Sequence, residues 1–166
     1  MADPFDIDAS TAIYNLLRTG DFAADLRELV VGEADGVYEA GDLTPSVIAS
    51  AEGLRQNDSP PAQAKALAVA VQDAGSSPMN MRTERTTVTV RVYDRLKGYR
   101  NIRAVRQELI RLLHGFVANV IADGGESQGV LNIEWIGRTG HRYDSAFAVE
   151  YEAVSFIVTI EHAELD

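Results

Sequence analysis

The sequence has no cysteine, only two lysines and no long apolar run. Without cysteine there is no disulfide, no thiolate nucleophile and no cysteine-bearing zinc site, which excludes a disulfide-stapled extracellular scaffold. No stretch approaches the roughly 18 apolar residues of a membrane-spanning helix. The acidic N-terminus lacks the basic and apolar segments of a signal peptide, so the product is expected to stay where it is made.

Acidic residues dominate the charge, with 25 Asp and Glu against 15 Lys and Arg and a net charge of −10. The only lysines are Lys65 and Lys97, so the other bases are arginines. Such a composition resembles that of proteins from salt-loving archaea, whose hydrated carboxylates keep molecules apart in concentrated salt. An ordinary acidic bacterial protein of high genomic GC content is the alternative.

The charge is unevenly distributed along the chain. Residues 1–81 carry 13 acids and 4 bases, residues 82–111 carry 3 acids and 9 bases, and residues 112–166 carry 9 acids and 2 bases. The three segments therefore have net charges of −9, +6 and −7. A basic centre between acidic ends can bind nucleic acid or other copies of the same chain.

Apolar periodicity predicts helices at the start and in the middle of the chain. The first 30 residues predict one helix broken at Gly20, or two short ones. Residues 32–63 are rich in glycine and proline, and indicate a short helix around 45–55, an ordered loop or an arm. The clearest helix is Asn101–Ile121, whose apolar stripe includes Phe116, Val117 and Val120. The helix is expected to end at Asp123-Gly124-Gly125.

Alternating apolar residues predict the strands. A long polar connection over Gln72–Arg85 is expected after the first strand, and a β-bulge near Ala153–Ser155 is expected in the last. Glycines 124, 125 and 129 predict a turn, and Gly137–Gly140 predicts a hairpin loop. The predicted strands are 64–71, Thr87–Tyr93, Leu131–Ile136 and Ala146–Glu161.

Together these elements predict one soluble α+β domain over residues 1–166. A small, mostly antiparallel sheet of about four strands packs against the long amphipathic helix and an N-terminal helix. Loop or arm insertions are expected at 32–60 and 72–86.

The sequence shows no pattern of catalytic, cofactor-binding or metal-ligating residues. His114, His141 and His162 lie in different elements with no shared spacing. Glu150 and Glu152 share a strand face, which suits paired catalytic carboxylates, but a solvated face of an acidic protein is the favoured interpretation. We therefore expect no enzyme activity and no cofactor.

One basic and aromatic cluster stands out at the junction between a strand and the long helix. Phosphate contact with base stacking, contact with an acidic face of a neighbouring subunit, and a solvated loop are the three interpretations. Subunit contact is the favoured one. The cluster consists of Arg91, Tyr93, Arg95, Lys97, Tyr99, Arg100 and Arg103.

The order of elements is similar to that of the tail terminator, or tail-completion, proteins of long-tailed phages and related haloarchaeal viruses. An N-terminal helix precedes a strand that follows Pro60-Pro61, then Thr87–Tyr93, the helix Asn101–Ile121 and two further strands. The resemblance covers about residues 9–30 and 60–162. It rests on size and element order, so no functional residue is carried over.

The resemblance implies a virion protein, assembled in the host cytoplasm, that forms a hexameric ring capping the tail tube. Its partners would be other copies of itself, the tail tube protein and a neck or head-completion protein. DNA would pass through the lumen without specific binding, and no membrane is involved. The alternatives are a neck or head-completion connector, a nucleic-acid-binding module using residues 91–103, and an enzyme acting on a small ligand.

Overall fold

The computed structural model describes residues 9–19, 21–57, 65–78, 83–95, 99–121 and 127–162. It contains helices and strands in mixed order, with two short 3₁₀ turns at Glu33–Gly36 and Ala40–Asp42. No helix in these ranges is long and apolar enough to cross a membrane. The helices are α1 (Ala9–Arg18), α2 (Ala24–Glu28), α3 (Pro45–Asn57) and α4 (Tyr99–Leu113), and the strands are β1 (Val37–Glu39), β2 (Ala68–Pro78), β3 (Thr83–Asp94), β4 (Val117–Ile121), β5 (Ser127–Arg138), β6 (Arg142–Asp144) and β7 (Val149–His162).

All seven strands belong to one sheet, in the order β1-β2-β3-β7-β5-β4, with β6 pairing with β7 beyond the end of β5. Among the strands of the described ranges, β1 and β2 pair in parallel and the other strand pairs are antiparallel. The mixed α+β class and the mostly antiparallel sheet are therefore confirmed. The prediction of about four strands was wrong, because β1 and β6 are only three residues long and β4 lies where the helical spacing was expected to continue.

One face of the sheet packs against α1, α2 and α4. Val88, Val90 and Val92 of β3 alternate toward this layer, and Phe156 of β7 lies fully buried within it. Burying one such large side chain stabilises the fold by about 1.5–3 kcal/mol before the loss of conformational entropy. The helix residues that complete this core are Ile13, Leu17, Leu26, Ile102, Val105, Leu109 and Leu113.

The other face is covered at one end by α3. Ile48 and Ala51 of α3 share a buried cluster with Ala68 and Ala70 of β2 and with Tyr93 of β3. The helix begins at Pro45, as the sequence predicted for 45–55, and Thr44 accepts a hydrogen bond from Val47 N through Oγ1 at 3.3 Å. Residues 32–57 are thus built into the domain.

The N-terminal part follows the sequence prediction of two short helices, α1 and α2. Gly20, Pro60 and Pro61 lie outside the described residues. In the turn after α2, Gly36 lies so close to the backbone that an added Cβ would be 2.2 Å from Val31 O. The backbone therefore leaves no room for any side chain larger than that of glycine at this position.

The predicted helix Asn101–Ile121 was wrong in its last turns. The helix ends at Leu113, and Val117–Ile121 form β4. Gly115 has a φ of +78°, which turns the chain out of the helix, and its N–H donates to Ile133 O at 2.9 Å. Gly124 and Gly125, which were expected to end the helix, lie outside the described residues.

The predicted polar connection over 72–86 was also wrong where the structure describes it. β2 continues to Pro78 and β3 starts at Thr83, and the two strands pair through this stretch with a register shift between Asp73 and Ser76. Gly75 has a φ of +124° at that shift, and its N–H donates to Asp73 Oδ1 at 2.7 Å. Backbone pairing does not need apolar side chains, so a polar segment can extend a hairpin.

The end of the chain has a different register from the one predicted. Gly137–Gly140 does not form a hairpin loop, because β5 and β6, which it connects, do not pair with each other. Both strands pair antiparallel with β7, and the hairpin turn lies between Asp144 and Val149. Likewise β7 has no bulge; the register shift lies in β5 between Trp135 and Gly137. Gly129 lies within β5 and not in a turn.

Candidate subunit-contact surface

The predicted basic cluster divides into residues that hold the fold together and residues that face outward. Arg91 lies with its guanidinium carbon 4.9 Å from the centroid of the Tyr151 ring. Tyr93 is 2% exposed and packs edge-on against Phe147, with ring centroids 5.9 Å apart. Burial raises the pKa of the Tyr93 phenol. Tyr93 is thus a packing residue that another chain cannot reach in this fold.

Arg95 also makes contacts within the chain. Its Nη2 lies 2.7 Å from Glu52 Oε2 on α3, and its Nη1 donates to Ala148 O at 2.5 Å. The side chain therefore joins α3 to the turn before β7. It remains partly exposed, at 37%, so part of its surface is still available.

Asp94 is the buried centre of this junction, with no exposed side-chain surface. Its Oδ1 accepts from Arg55 Nη1 and from Arg95 N, both at 2.7 Å, and its Oδ2 accepts from Asn101 Nδ2 at 2.9 Å. These bonds join β3 to α3 and to the first turn of α4, which begins at Tyr99, two residues before the predicted start at Asn101. A carboxylate buried this deeply needs such partners.

The outward-facing residues of the cluster lie at the start of α4. Tyr99, Arg100 and Arg103 are exposed, and Arg103 lies over the Tyr99 ring at 5.9 Å. The edge of the Tyr99 ring meets His141 at 5.3 Å. Lys97 lies outside the described residues. Contact of these residues with a second chain stays a prediction.

The basic character extends along the outer face of α4, at the three- and four-residue spacing that places side chains on one side of a helix. Arg106 of the same helix is not part of this face, since it is buried at 7% exposure. The exposed side chains of this face are Arg100, Arg103, Gln107, Arg111 and His114.

Glu150 and Glu152 are buried, with 8% and 1% exposure, so the interpretation of a solvated strand face was wrong. Arg106 Nη1 lies 2.8 Å from Glu152 Oε2, and Arg138 Nη1 lies 3.6 Å from Glu152 Oε1. His141 Nε2 lies 2.5 Å from Glu150 Oε2. Glu152 thus contacts α4 and the end of β5, whereas Glu150 contacts the segment between β5 and β6. Both are therefore engaged in pairs that connect β7 to its neighbours.

The histidines lie apart, as expected. His114 Nδ1 accepts a hydrogen bond from Trp135 N at 3.1 Å, whereas His141 pairs with Glu150. The side chain of His162 lies outside the described residues. Within the described part of the chain, no three His, Asp or Glu side chains are grouped so that they could hold a metal ion.

An exposed acidic segment lies around β1, the strand at one edge of the sheet. Residues 33–42 contain four acids and no base, and the acids are exposed. Asp35 pairs with Arg18 of α1 at 3.3 Å, an ion pair whose carboxylate is 90% exposed and so is worth little. The acids are Glu33, Asp35, Glu39 and Asp42.

An open cleft of about 290 Å³ lies between α3 and β1. We call it the β1 cleft. Its apolar wall includes Val47 and Leu54 of α3 and Tyr38 of β1, and Asp35 lies at its rim. Leu54 is 59% exposed, so an apolar surface faces solvent here. Burial and the nearby Asp35 carboxylate raise the pKa of the Tyr38 phenol.

Several large apolar side chains are exposed on β4, β5 and β6. Trp135 is 39% exposed and Ile136 is 51% exposed, both at the register shift of β5. Val117 of β4 is 61% exposed and Tyr143 of β6 is 64% exposed. The sequence predicted none of these as surface features, and Val117 was instead placed on the apolar stripe of the long helix.

No family model matches the sequence, and no curated protein matches it. Among solved structures, the chain is similar to a chain of the virion of a native gene transfer agent (GTA) particle. The TM-score is 0.54, the sequence identity is 14%, and the match covers 92% of this chain and 94% of that chain. At this identity the likeness concerns the fold.

Proposed function

We propose that this chain is a structural protein of a tailed virion, in which it forms a ring that caps the tail tube, ends tail growth and joins the tail to the neck. The observation that carries the proposal is the fold match to a virion chain, which covers almost the whole length of both chains. The order of elements supports the tail-terminator position, since α1, β2, β3, α4, β5 and β7 follow the order found in that family.

The distribution of exposed charge supports self-association. A ring of identical subunits needs head-to-tail contacts, in which two different surfaces of the chain meet. The acidic segment 33–42 and the basic outer face of α4 are such a pair of unlike surfaces. Complementary charge guides the encounter, and burial of apolar surface supplies most of the affinity, especially in concentrated salt.

The proposed partners follow from this position in the virion. One rim of the ring would contact the tail tube protein and the other a neck or head-completion protein. DNA would pass through the lumen without specific binding, which the net charge of −10 supports because acidic surfaces repel phosphate. The role is structural, and no reaction is assigned to the buried carboxylates, which have hydrogen-bond partners within the chain.

Light scattering after size exclusion, together with negative-stain imaging, tests the proposal. Six copies of the 18.1 kDa chain predict a particle of about 110 kDa with a central hole. The measurement is made at low and at high salt, because screening affects the charged contacts. A stable monomer under both conditions that also fails to bind assembled tail tubes would contradict the proposal.

Binding assays separate the tail position from the alternatives. Purified ring is mixed with tail tube protein and, separately, with the portal-side neck proteins of the same virus. Binding to the tube ends supports the terminator role, whereas binding to neck proteins alone supports a connector. Binding to DNA that is steep in salt and lost in the double variant Arg100→Ala and Arg103→Ala would instead favour a nucleic-acid-binding module.

A further inference from the structure

One flank of α4 lies against the outer part of β5. At the start of the helix the edge of the Tyr99 ring meets His141, and at its end His114 Nδ1 accepts a hydrogen bond from Trp135 N at 3.1 Å. Arg103 follows Tyr99 by one turn on the same side of the helix, with its guanidinium carbon 5.9 Å from the ring. We call this region the α4–β5 surface. Its exposed side chains are Tyr99, Arg100, Arg103, Trp135, Arg138 and His141.

The backbone of β5 already has partners along this surface. Pairing with β4 ends at Asn132, and beyond it Trp135 N donates to His114. The carbonyl oxygen of Gly137 accepts from Trp135 Nε1 at 2.9 Å. A strand of another chain that extended the sheet here would compete with these bonds. A partner is therefore expected to contact side chains at this edge.

The exposed charge of the α4–β5 surface is positive. Within the described residues, no ion pair involves Arg100 or Arg103, and both side chains are exposed. The nearby acids Glu150 and Glu152 are buried and have partners within the chain. Trp135, 39% exposed, adds apolar area that hydrogen bonds hold in place, so it loses little freedom when a partner covers it. The surface is therefore suited to an acidic partner.

The acidic segment 33–42 lies on the same side of the sheet, at the edge formed by β1. Asp35 pairs with Arg18 of α1, which belongs to the helix layer that also contains α4. Glu39 is opposite Val71 in the strand register, and Val71 lies in the core beneath this layer. Because directly opposite residues of neighbouring strands share a face, Glu39 is also on the helix side of the sheet.

The two surfaces are also at the same level along the strands. Val71 is opposite Val90, and Val90 is opposite Val154. Val154 is opposite Arg138, so one row of residues leads from Glu39 to the α4–β5 surface. Four strand spacings of about 4.8 Å make this row roughly 19 Å long. A second copy displaced along the row presents its acidic segment on the side where this chain carries its exposed arginines.

We infer that residues 33–42 of one copy of this chain dock on the α4–β5 surface of the next copy, where the carboxylates meet Arg100 and Arg103 and cover Trp135. Arg138 keeps its pair with Glu152. This inference rests on the proposed ring, for which it names the two surfaces in contact. The contact is head-to-tail, because two different surfaces of the chain meet, and its repetition produces a ring when the rotation between subunits closes.

Two charge-reversed variants test the inference. The first, Arg100→Glu with Arg103→Glu, changes only the α4–β5 surface, and the second, Glu33→Arg with Glu39→Arg, changes only the acidic segment. All four positions are exposed, so the fold should persist, which circular dichroism checks. Each variant alone should assemble about tenfold more weakly than the unmodified chain at low salt, because like charges then face one another.

An equimolar mixture of the two variants should recover assembly. The intact acids of the first variant meet the intact arginines of the second, and the introduced arginines of the second meet the introduced glutamates of the first. Every contact in a ring that alternates the two variants therefore joins opposite charges. An affinity tag on one variant should recover both from the mixture, in particles of the same mass as those of the unmodified chain.

The matched controls are Arg85→Glu and Glu134→Arg, which reverse exposed charges on the other face of the sheet. Arg85 is opposite Thr159 and Glu134 is opposite Ile157 in the register, on the side away from α4. Both controls should assemble like the unmodified chain. Unchanged assembly of either charge-reversed double variant, equal weakening in a control, or no recovery in the mixture would each overturn the inference.

The fluorescence of Trp135 gives a second, independent measurement, because it is the only tryptophan of the chain. Assembly of the unmodified chain should shift its emission to shorter wavelength and reduce quenching by acrylamide, since the neighbouring copy covers the exposed part of the indole. Particles that form without either change would contradict the inference.

The failure of the inference can be told apart from the failure of the proposed function. If the unmodified chain does not assemble at all, the ring proposal fails and the inference fails with it. If rings form with unchanged Trp135 emission and the charge reversals have no effect on them, only the assignment of surfaces fails. Loss of DNA binding without loss of assembly in Arg100→Glu with Arg103→Glu would likewise overturn the inference and identify the surface as a nucleic-acid site.

Discussion

Replacing Arg106 by methionine removes one half of the buried ion pair between α4 and β7. Arg106 is 7% exposed and Glu152 is 1% exposed, and their charged atoms lie 2.8 Å apart. In Arg106→Met, the nearest described cation left to Glu152 is Arg138, at 3.6 Å and 44% exposed. Leaving a buried carboxylate without its main partner costs about 3–5 kcal/mol, and the remaining arginine favours the lower end of that range.

The free energy of unfolding is measured by urea titration followed by circular dichroism, with the slope of the transition as a check on the unfolded state. A loss of about 3 kcal/mol corresponds to a fall in Tm of roughly 6–12 °C for a chain of this length. The double variant Arg106→Met and Glu152→Met removes both charges and should recover most of the lost stability.

Arg111→Met is the matched control, because Arg111 lies on the exposed face of the same helix and pairs with Glu108 at the surface. Its effect on stability should be too small to resolve. The reasoning is refuted if Arg106→Met is no less stable than Arg111→Met, or if the double variant is as unstable as the single one.

Three further predictions concern the fold. Asp94→Ala should lower the free energy of unfolding by about 2–4 kcal/mol in urea titration, since it leaves the donors around a fully buried carboxylate without an acceptor. Gly36→Ala should lower the Tm because its Cβ would clash with Val31 O, whereas Gly41→Ala, with nothing within 4 Å of its Cβ, should not. Burial raises the folded-state pKa of Tyr93, so the stability it contributes is complete below the unfolded value of about 10 and is lost as pH rises through the folded pKa; absorbance at 295 nm during alkaline titration should show late-ionising tyrosine, and Tyr93→Phe should remove part of that late signal while the part due to Tyr38 remains.

The elements that were predicted correctly are those whose pattern is local. The apolar spacing of α4 up to Leu113 and the alternation of Val88, Val90 and Val92 each follow from which side chains face one core. Pro45 marks the start of α3 for an equally local reason, since proline fits the first turn of a helix.

The elements that were missed depend on contacts between distant residues. Phe116 and Val117 continue the helical spacing of α4, and only the backbone of Gly115 and its pairing with Ile133 show that a strand begins there. In β7, Val149 and Tyr151 face the side covered by α3, whereas Phe156 faces the side covered by α4, so two covered faces had suggested a bulge.

The candidate contact surface was predictable only in part. Its basic character is visible in the sequence, and the exposed part of it at Arg100 and Arg103 was among the predicted residues. The burial of Tyr93 was not visible, because its partner Phe147 lies far along the chain. The β1 cleft arises from the position of β1 in the sheet and of α3 beside it, which one sequence does not specify.

The mass and shape of the purified chain in solution test the central claim most directly. Light scattering combined with negative-stain imaging should show a closed ring of about 110 kDa that binds the ends of assembled tail tubes. A monodisperse particle of 18.1 kDa at both low and high salt, with no affinity for tail tubes, would contradict it.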